Sequence, residues 1–232
     1  MISSVKSRQR IIDHGEVFTP PKLVNDMLDL VAHECQRIDS RFLEPACGDG
    51  NFLAEVLRRR LAVVDHRAKC AIVRWEKDAL LGLACLYGIE LLCDNVNECR
   101  DRLHAIFTDA YTTRFGSQAR PAVLHAARHI VRTNIHQGDA LAMTTVGDKA
   151  FPARPLIFTE WSLLPNGQFK RHLYEYRELP PDSQKERPAL FAAASQPIVN
   201  DHDGQPVFIA NPLKALPLVH YLKLGLTGTP HD

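Results

Sequence analysis

The sequence predicts an α/β fold, with a doubly wound, mostly parallel sheet carrying C-terminal β-hairpin extensions. Three observations point to it. Short apolar runs of β character alternate with longer stretches of helical periodicity over residues 1–161. One of these runs ends in a tight glycine turn, "FLEPACGDGNFL", that opens a helix. Beyond residue 161, β-like runs are interrupted by Pro165-Asn166-Gly167 and again by Asp201-His202-Asp203-Gly204, which are hairpin signals. Residues 1–161 are therefore read as the core. Residues 162–232 are read as an extension packed on that core, too small for an independent domain.

Taken in order, "TPPKLVNDMLDLVAHEC" has apolar residues at helical spacing (Leu23, Met27, Leu30, Val31), with Thr19 as the expected N-cap and Pro20 in the first turn. "RFLEPA" is a short strand, and "NFLAEVLRRRLAVVD" a helix. "AKCAIVRWEKDALLGLACL" is a second helix leading to the strand "YGIELL". "NVNECRDRLHAIF" and "PAVLHAARHIVRT" read as helices, the latter opened by Pro121. "NIHQGDAL" gives a strand and turn, and "RPLIFTEWSLL" a stronger strand. "RELPPDSQKERPAL" is polar and proline-rich, as a surface loop would be.

Composition narrows the classes. The chain has 232 residues, 45% hydrophobic and 24% charged, with a net charge of +1. That is a globular composition without an overall basic coat for nucleic acid, although a local basic face remains open. No apolar run reaches the length of a membrane span. The first ten residues, "MISSVKSRQR", are polar and basic, unlike a secretory signal. Six cysteines (Cys35, Cys47, Cys70, Cys85, Cys93, Cys99) form no C-x-x-C pair. They are expected to be reduced, mostly packed thiols of a cytoplasmic protein, and no metal site is expected. His125 and His129 lie four apart on a predicted helix but lack a third ligand, so they read as helix surface.

A strand that ends in a glycine turn and opens a helix brings backbone N–H groups close to a ligand. Gly48 and Gly50 allow that approach. The third glycine of a dinucleotide fingerprint is missing. Glu44, at the strand end, suits a cationic group, and so a zwitterionic amino-acid moiety better than a pyrophosphate.

"EPACGDGNFL" resembles motif I of the adenine-N6 DNA methyltransferases, whose usual form is D/E-P-A-C-G-S/T-G-x-F/L-L. Upstream, "GEVFTPPKLVNDML" resembles their motif X. "YGIELLCDNV" and "IHQGDAL" resemble the strands of motifs II and III. The order is the gamma-type arrangement of type I restriction-modification subunits, and the likeness spans residues 15–142. It implies a Rossmann-like methyltransferase fold that binds S-adenosyl-L-methionine. In that case Phe18 and Thr19 contact the methionine end, and Glu44, Ala46, Gly48 and Gly50 form the cradle. Glu90 accepts from the ribose hydroxyls, with Asp94 as the rival for that role, and Asp139 lies near the adenine amino group.

The family's catalytic D/N/S-P-P-Y/F/W motif belongs at the end of the fourth strand, where this chain reads "LIFTEWS". Glu160 or Thr159 stands where the amine acceptor belongs, and Trp161 where the stacking aromatic belongs. The competing reading makes Phe158 and Trp161 ordinary packed strand residues. Asn211-Pro212 resembles the missing motif only superficially and reads as a turn. "LRRR" (57–60) and "FKRHLYEYR" (169–177) are the basic stretches, the second mixing Lys170, Arg171 and Arg177 with Tyr174 and Tyr176. The resemblance thus implies an adenine-specific DNA methyltransferase acting on DNA, with a specificity subunit or second chain supplying site recognition. The alternatives are a cofactor-binding subunit without catalysis, a methyltransferase on another acceptor, and a dehydrogenase using NAD.

Overall fold

A computed structural model describes residues 6–14, 16–148, 150–178, 198–200, 206–208 and 211–226. The element order begins α1 (Arg8–His14), α2 (Pro21–Asp29), α3 (Ala32–Gln36), β1 (Phe42–Glu44), α4 (Asn51–Ala68), α5 (Ile72–Ala84) and β2 (Leu86–Glu90). It continues with α6 (Cys93–Phe115), α7 (Pro121–Asn134), β3 (Ile135–Asp139) and β4 (Thr144–Thr145). The last part holds β5 (Ile157–Leu163), β6 (Gln168–Glu175), β7 (Ile198–Asn200), β8 (Pro206–Phe208) and β9 (Lys214–His220).

The protein is mixed α/β. β1, β2 and β3 pair in parallel, and β4 adds antiparallel to β3. The two parallel connections are each made by a pair of helices, as parallel pairing requires a long crossover. One face of this sheet meets α4: a Cβ built on Gly88 would lie 3.1 Å from Leu53 Cδ1 and from Ile135 Cδ1. Successive strand residues point to opposite faces. On the other face the Tyr87 hydroxyl donates to Thr159 O at 3.0 Å, and the Phe158 ring meets Tyr87 and His136 edge-on.

The expected doubly wound order does not hold among the described residues. The three parallel strands and then the antiparallel β4 follow one another in chain order, β1-β2-β3-β4, with no reversal. The strand at 157–163, expected as the fourth strand of the sheet, instead pairs along its whole length with β6, and β6 with β9, in a separate antiparallel sheet. The reason is local. Pro165-Asn166-Gly167 turns the chain back at once, with Gly167 at φ +82° and the Asn166 side chain accepting from Gln168 N at 3.1 Å. So short a loop can join only antiparallel neighbours. The second hairpin signal is matched by β7 and β8, paired Ile198 to Phe208; its turn lies outside the described residues.

Two further differences concern the first helices. Thr19 is not the cap: Pro20 occupies that position at φ −61°, ψ 147°, and Pro21 is the first helical residue. A residue before proline is pushed out of the α region, so consecutive prolines forbid an earlier start. The helix expected to run through to Cys35 also breaks at Leu30-Val31 into α2 and α3. α1 had no counterpart in the sequence reading.

A single apolar cluster unites the β1-β2-β3-β4 sheet with the β5-β6-β9 sheet, running from Leu28, Leu57 and Leu80 to Trp161, Phe169, Tyr221 and Leu224. The expected boundary at 161/162 falls inside β5, whose partners all lie in β6. Among the described residues no helix is long and apolar enough to cross a membrane.

Candidate ligand pocket at the strand ends

Glu44, Glu90 and Asp139 are the last residues of β1, β2 and β3. Register pairs Glu44 with Gly88, and Glu90 with Gln137. Three carboxylates therefore stand at the carboxyl ends of three neighbouring parallel strands, where α/β sheets bind ligands. A cavity of about 560 Å³ opens there. Sites for small molecules span roughly 300–1,000 Å³.

The walls come from four segments: Glu16–Thr19 with Met27, Glu44–Asp49 with Asn51 and Phe52, Glu90–Leu92 with Asn95, and Gly138–Leu141. Five carboxylates line the cavity (Glu16, Glu44, Asp49, Glu90, Asp139), with no lysine, arginine or histidine among its described lining residues. Arg10 and Arg102, outside the lining, pair with Glu16 and Asp49 at 2.6 and 2.7 Å, which leaves Glu44, Glu90 and Asp139 to attract cations and hydroxyl donors and to repel phosphates.

Glu90 ties two of the walls together. Its Oε2 accepts from Gly48 N at 2.9 Å and its Oε1 from Leu92 N at 2.9 Å. Each oxygen keeps a lone pair for a further donor. Asp94, the other candidate for ribose, is not in the lining; Arg10 and Lys6 hold it, at 2.6 and 3.2 Å. These partners keep its carboxyl well below the usual range, the Arg10 hydrogen bond foremost. Glu44 is different. Burial raises its pKa, the backbone N–H of Ala46 offsets this in part, and among the described residues no cationic side chain pairs with it. Desolvation without a counter-ion disfavours the ionised carboxylate, and an opposite charge brought close would favour it. Asp139 Oδ1 accepts from Leu141 N and Ala142 N, at 2.8 and 3.0 Å, which shapes the adjoining turn.

Both glycines of the turn hold left-handed backbone, Gly48 at φ +52° and Gly50 at φ +87°. A Cβ on Gly48 would reach the Phe18 ring at 3.1 Å, so the turn and the Phe18 wall touch at this point. Gly50 does not line the cavity. It backs onto α6, where a Cβ would lie 2.7 Å from Cys99 Sγ. The turn then feeds α4, whose first two residues, Asn51 and Phe52, line the cavity. Cys47, buried beside Cys99, has its thiol pushed far up by that neighbour and by burial.

Phe18, Thr19, Glu44, Ala46, Gly48, Glu90 and Asp139 are thus brought together, with Gly50 just behind them. Glu160 and Trp161 are not. Trp161 is 3% exposed, donates through Nε1 to Asn134 Oδ1 at 2.9 Å, and packs edge-on against Phe169. Glu160 pairs with Arg41 at 2.5 Å and accepts from the Tyr174 hydroxyl at 3.3 Å. Thr159 is buried in the same strand. Asn211-Pro212 is exposed before β9, outside the lining.

The remaining candidates have local roles. Arg60 is buried, its Nη1 donating to Gly82 O at 2.7 Å, and Arg59 pairs with Asp29 at 2.8 Å. Arg171 is buried and donates to Pro217 O at 3.2 Å, while Tyr176 packs on Phe158. Lys170 and Arg177 alone of that stretch's three cations are exposed. His129 packs edge-on against Trp161. All six cysteines are free thiols. Among the described residues no group of three or more His, Cys, Asp or Glu is arranged to hold a metal ion.

Sequence reasoning missed Asn95 and Arg102. Asn95 is 1% exposed and donates through Nδ2 to Glu16 Oε1 at 2.6 Å. Arg102 holds Asp49 at 2.7 Å and also the Asn51 side chain. The signal was present in the spacing: Asn95, Cys99 and Arg102 follow at i, i+4 and i+7, one stripe of α6 facing the glycine turn. No protein-family model, curated protein or solved structure matches this chain.

Proposed function

We propose that the cavity binds S-adenosyl-L-methionine, and that this chain is the cofactor-binding unit of an adenine-N6 DNA methyltransferase. The observation that carries the reading is the lining itself: Glu44, Glu90 and Asp139, without a cationic partner among the described residues, at the ends of three parallel strands beside a glycine turn. S-adenosylmethionine presents an ammonium, a sulfonium, two ribose hydroxyls and an amino group, with a single carboxylate that the backbone N–H groups of the glycine turn and the start of α4 would receive. Nicotinamide dinucleotides present a pyrophosphate, which this lining opposes.

In this reading Glu44 receives the ammonium, and Phe18 and Thr19 wall the methionine end. Ala46 and Gly48 bring backbone close, with Gly50 behind them. Glu90 accepts from the ribose hydroxyls through the lone pairs left by Gly48 and Leu92, and Asp139 serves the adenine amino group. The bound cofactor supplies an electrophilic methyl group. A partner chain supplies DNA site recognition and the group that positions the target amine.

The burial of Trp161 and the Arg41 pairing of Glu160 favour a second reading, a subunit that binds the cofactor without transferring its methyl group. Calorimetric titration with S-adenosylhomocysteine tests the first step. We expect binding in the micromolar range, lost in Gly48→Trp, which fills the cradle under Phe18. No binding by the unaltered protein would overturn the cofactor assignment. Once binding is in hand, labelled methyl transfer to DNA by this chain purified together with its partner separates the two readings.

A further inference from the structure

We infer that the N-terminal helix is an ionic latch on the pocket, so that ligand affinity depends on ion pairs formed outside it; this rests on the reading of the pocket as a site for S-adenosylmethionine and its product. α1 has little apolar packing to hold it. None of its described side chains is buried, and Ile11 and Ile12 are 37% and 71% exposed. Its anchors are charged. Arg10 forks, Nε to Glu16 Oε2 and Nη2 to Glu16 Oε1, both at 2.6 Å, while Nη1 reaches Asp94 Oδ2 at 2.6 Å. Lys6, just before the helix, reaches Asn95 Oδ1 at 2.6 Å, Glu98 at 2.7 Å and Asp94 at 3.2 Å.

These contacts converge on the pocket wall. Glu16 and Asn95 both line the cavity and are bonded to each other. Glu16 leads directly into Val17, Phe18 and Thr19, and the Phe18 ring lies against Gly48. Releasing Lys6 and Arg10 would leave the Glu16 side chain, only 7% exposed, without its cations and would free the wall that follows it. A buried carboxylate stripped of its partner moves toward water. The outer members of the cluster are open to solvent, Asp94 and Glu98 at 49% side-chain exposure, so salt reaches them.

Apparent affinity is then the intrinsic affinity multiplied by the fraction of molecules latched, so unlatching weakens binding. S-adenosylhomocysteine carries no net charge at neutral pH, so salt acts on its binding chiefly through the protein. Titration at increasing sodium chloride therefore reads the latch. From about 0.05 to 0.5 M salt, where screening shortens from about 14 to about 4 Å, we expect Kd to rise about tenfold. The Lys6→Ala/Arg10→Ala double variant should bind about tenfold more weakly at low salt, without further dependence on salt. Lys22→Ala, which removes a surface ion pair elsewhere, should behave as the unaltered protein. A salt-independent Kd in the unaltered protein, or undiminished affinity in the double variant, would overturn the latch and leave the cofactor reading standing.

If the unaltered protein does not bind at low salt, it is the cofactor reading that fails. The latch is then read without ligand, by tryptic cleavage after Lys6 and Arg10. Cleavage that accelerates with salt, once corrected with a model peptide for the effect of salt on trypsin, supports the latch. Salt-independent cleavage overturns it. Thermal unfolding of the double variant within a few degrees of the unaltered protein separates unlatching from a general loss of fold.

Discussion

Gly48 and Gly50 share a left-handed backbone but meet different neighbours, and this separates their roles at the scale of single residues. A Cβ at Gly50 would press on Cys99, at 2.7 Å from its Sγ and 3.2 Å from its Cα, and the Cα belongs to the backbone of α6 and cannot turn aside. At Gly48 the neighbour is the Phe18 ring, which can give way. Gly50→Ala should therefore cost about 2–4 kcal/mol of stability, the sum of left-handed strain and overpacking, whereas Gly48→Ala should cost about 1–2 kcal/mol. For ligand the order reverses: Gly48→Ala should weaken S-adenosylhomocysteine binding more than Gly50→Ala does, measured where both are folded. Urea unfolding and calorimetry on the two variants check this, and equal effects on stability would remove the distinction. The glycine turn and the strand-end acids were legible in the sequence because motif spacing fixes where a strand stops. The choice between Glu90 and Asp94 was not, since both are acids at the same end of β2. It turns on Arg10 and Lys6, more than eighty residues earlier in the chain, reaching Asp94 first.

Among elements, β5 departs furthest from expectation, and one hydrogen bond shows what it does instead. The Asn134 side chain donates to Ala84 O at 2.9 Å and to Leu86 O at 3.0 Å, and accepts from Trp161 Nε1. The end of α7, the start of β2 and the middle of β5 are thereby pinned together in a buried setting. Trp161→Phe keeps most of the apolar contact but leaves the Asn134 oxygen unsatisfied, at a cost of about 1–3 kcal/mol. Chemical unfolding should show that loss, and S-adenosylhomocysteine affinity should not change. A fall in affinity with stability unchanged would return Trp161 to the ligand site. Apolar alternation identified β5 as a strand, and its hairpin turn was visible as Pro165-Asn166-Gly167. The sheet it joins was not visible, because pairing partners are set by tertiary packing, which strand propensity does not encode. The start of α2 could have been read correctly from Pro20-Pro21, which overrides the capping preference of Thr19.

Across the whole molecule the buried Glu76 joins parts that lie far apart in the chain. It is 0% exposed and sits on α5. Its carboxylate accepts from the Tyr111 hydroxyl on α6, from Arg120 ahead of α7, and from the Tyr221 hydroxyl beyond β9 at 3.0 Å. Trp75 stacks on Tyr111 beside it, ring centroids 5.2 Å apart. The antiparallel sheet is thus tied to the helical layer by charge as well as by the shared apolar cluster that contains Phe169 and Tyr221. Removing one member of such a buried pair leaves the other uncompensated, which costs about 3–5 kcal/mol. Because Arg120 is 37% exposed and can rehydrate, Glu76→Ala should fall at the lower end of that range. The two tryptophans give each half its own reporter, Trp75 among the helices and Trp161 in β5. In a Trp75→Phe variant and in a Trp161→Phe variant, the remaining tryptophan and the far-ultraviolet circular dichroism should unfold at one midpoint. Adding Glu76→Ala should lower both signals together. If the Trp161 signal is instead lost first in the Glu76→Ala background while the helices persist, the antiparallel sheet is a separable unit, and Glu76 is what fastens it to the rest.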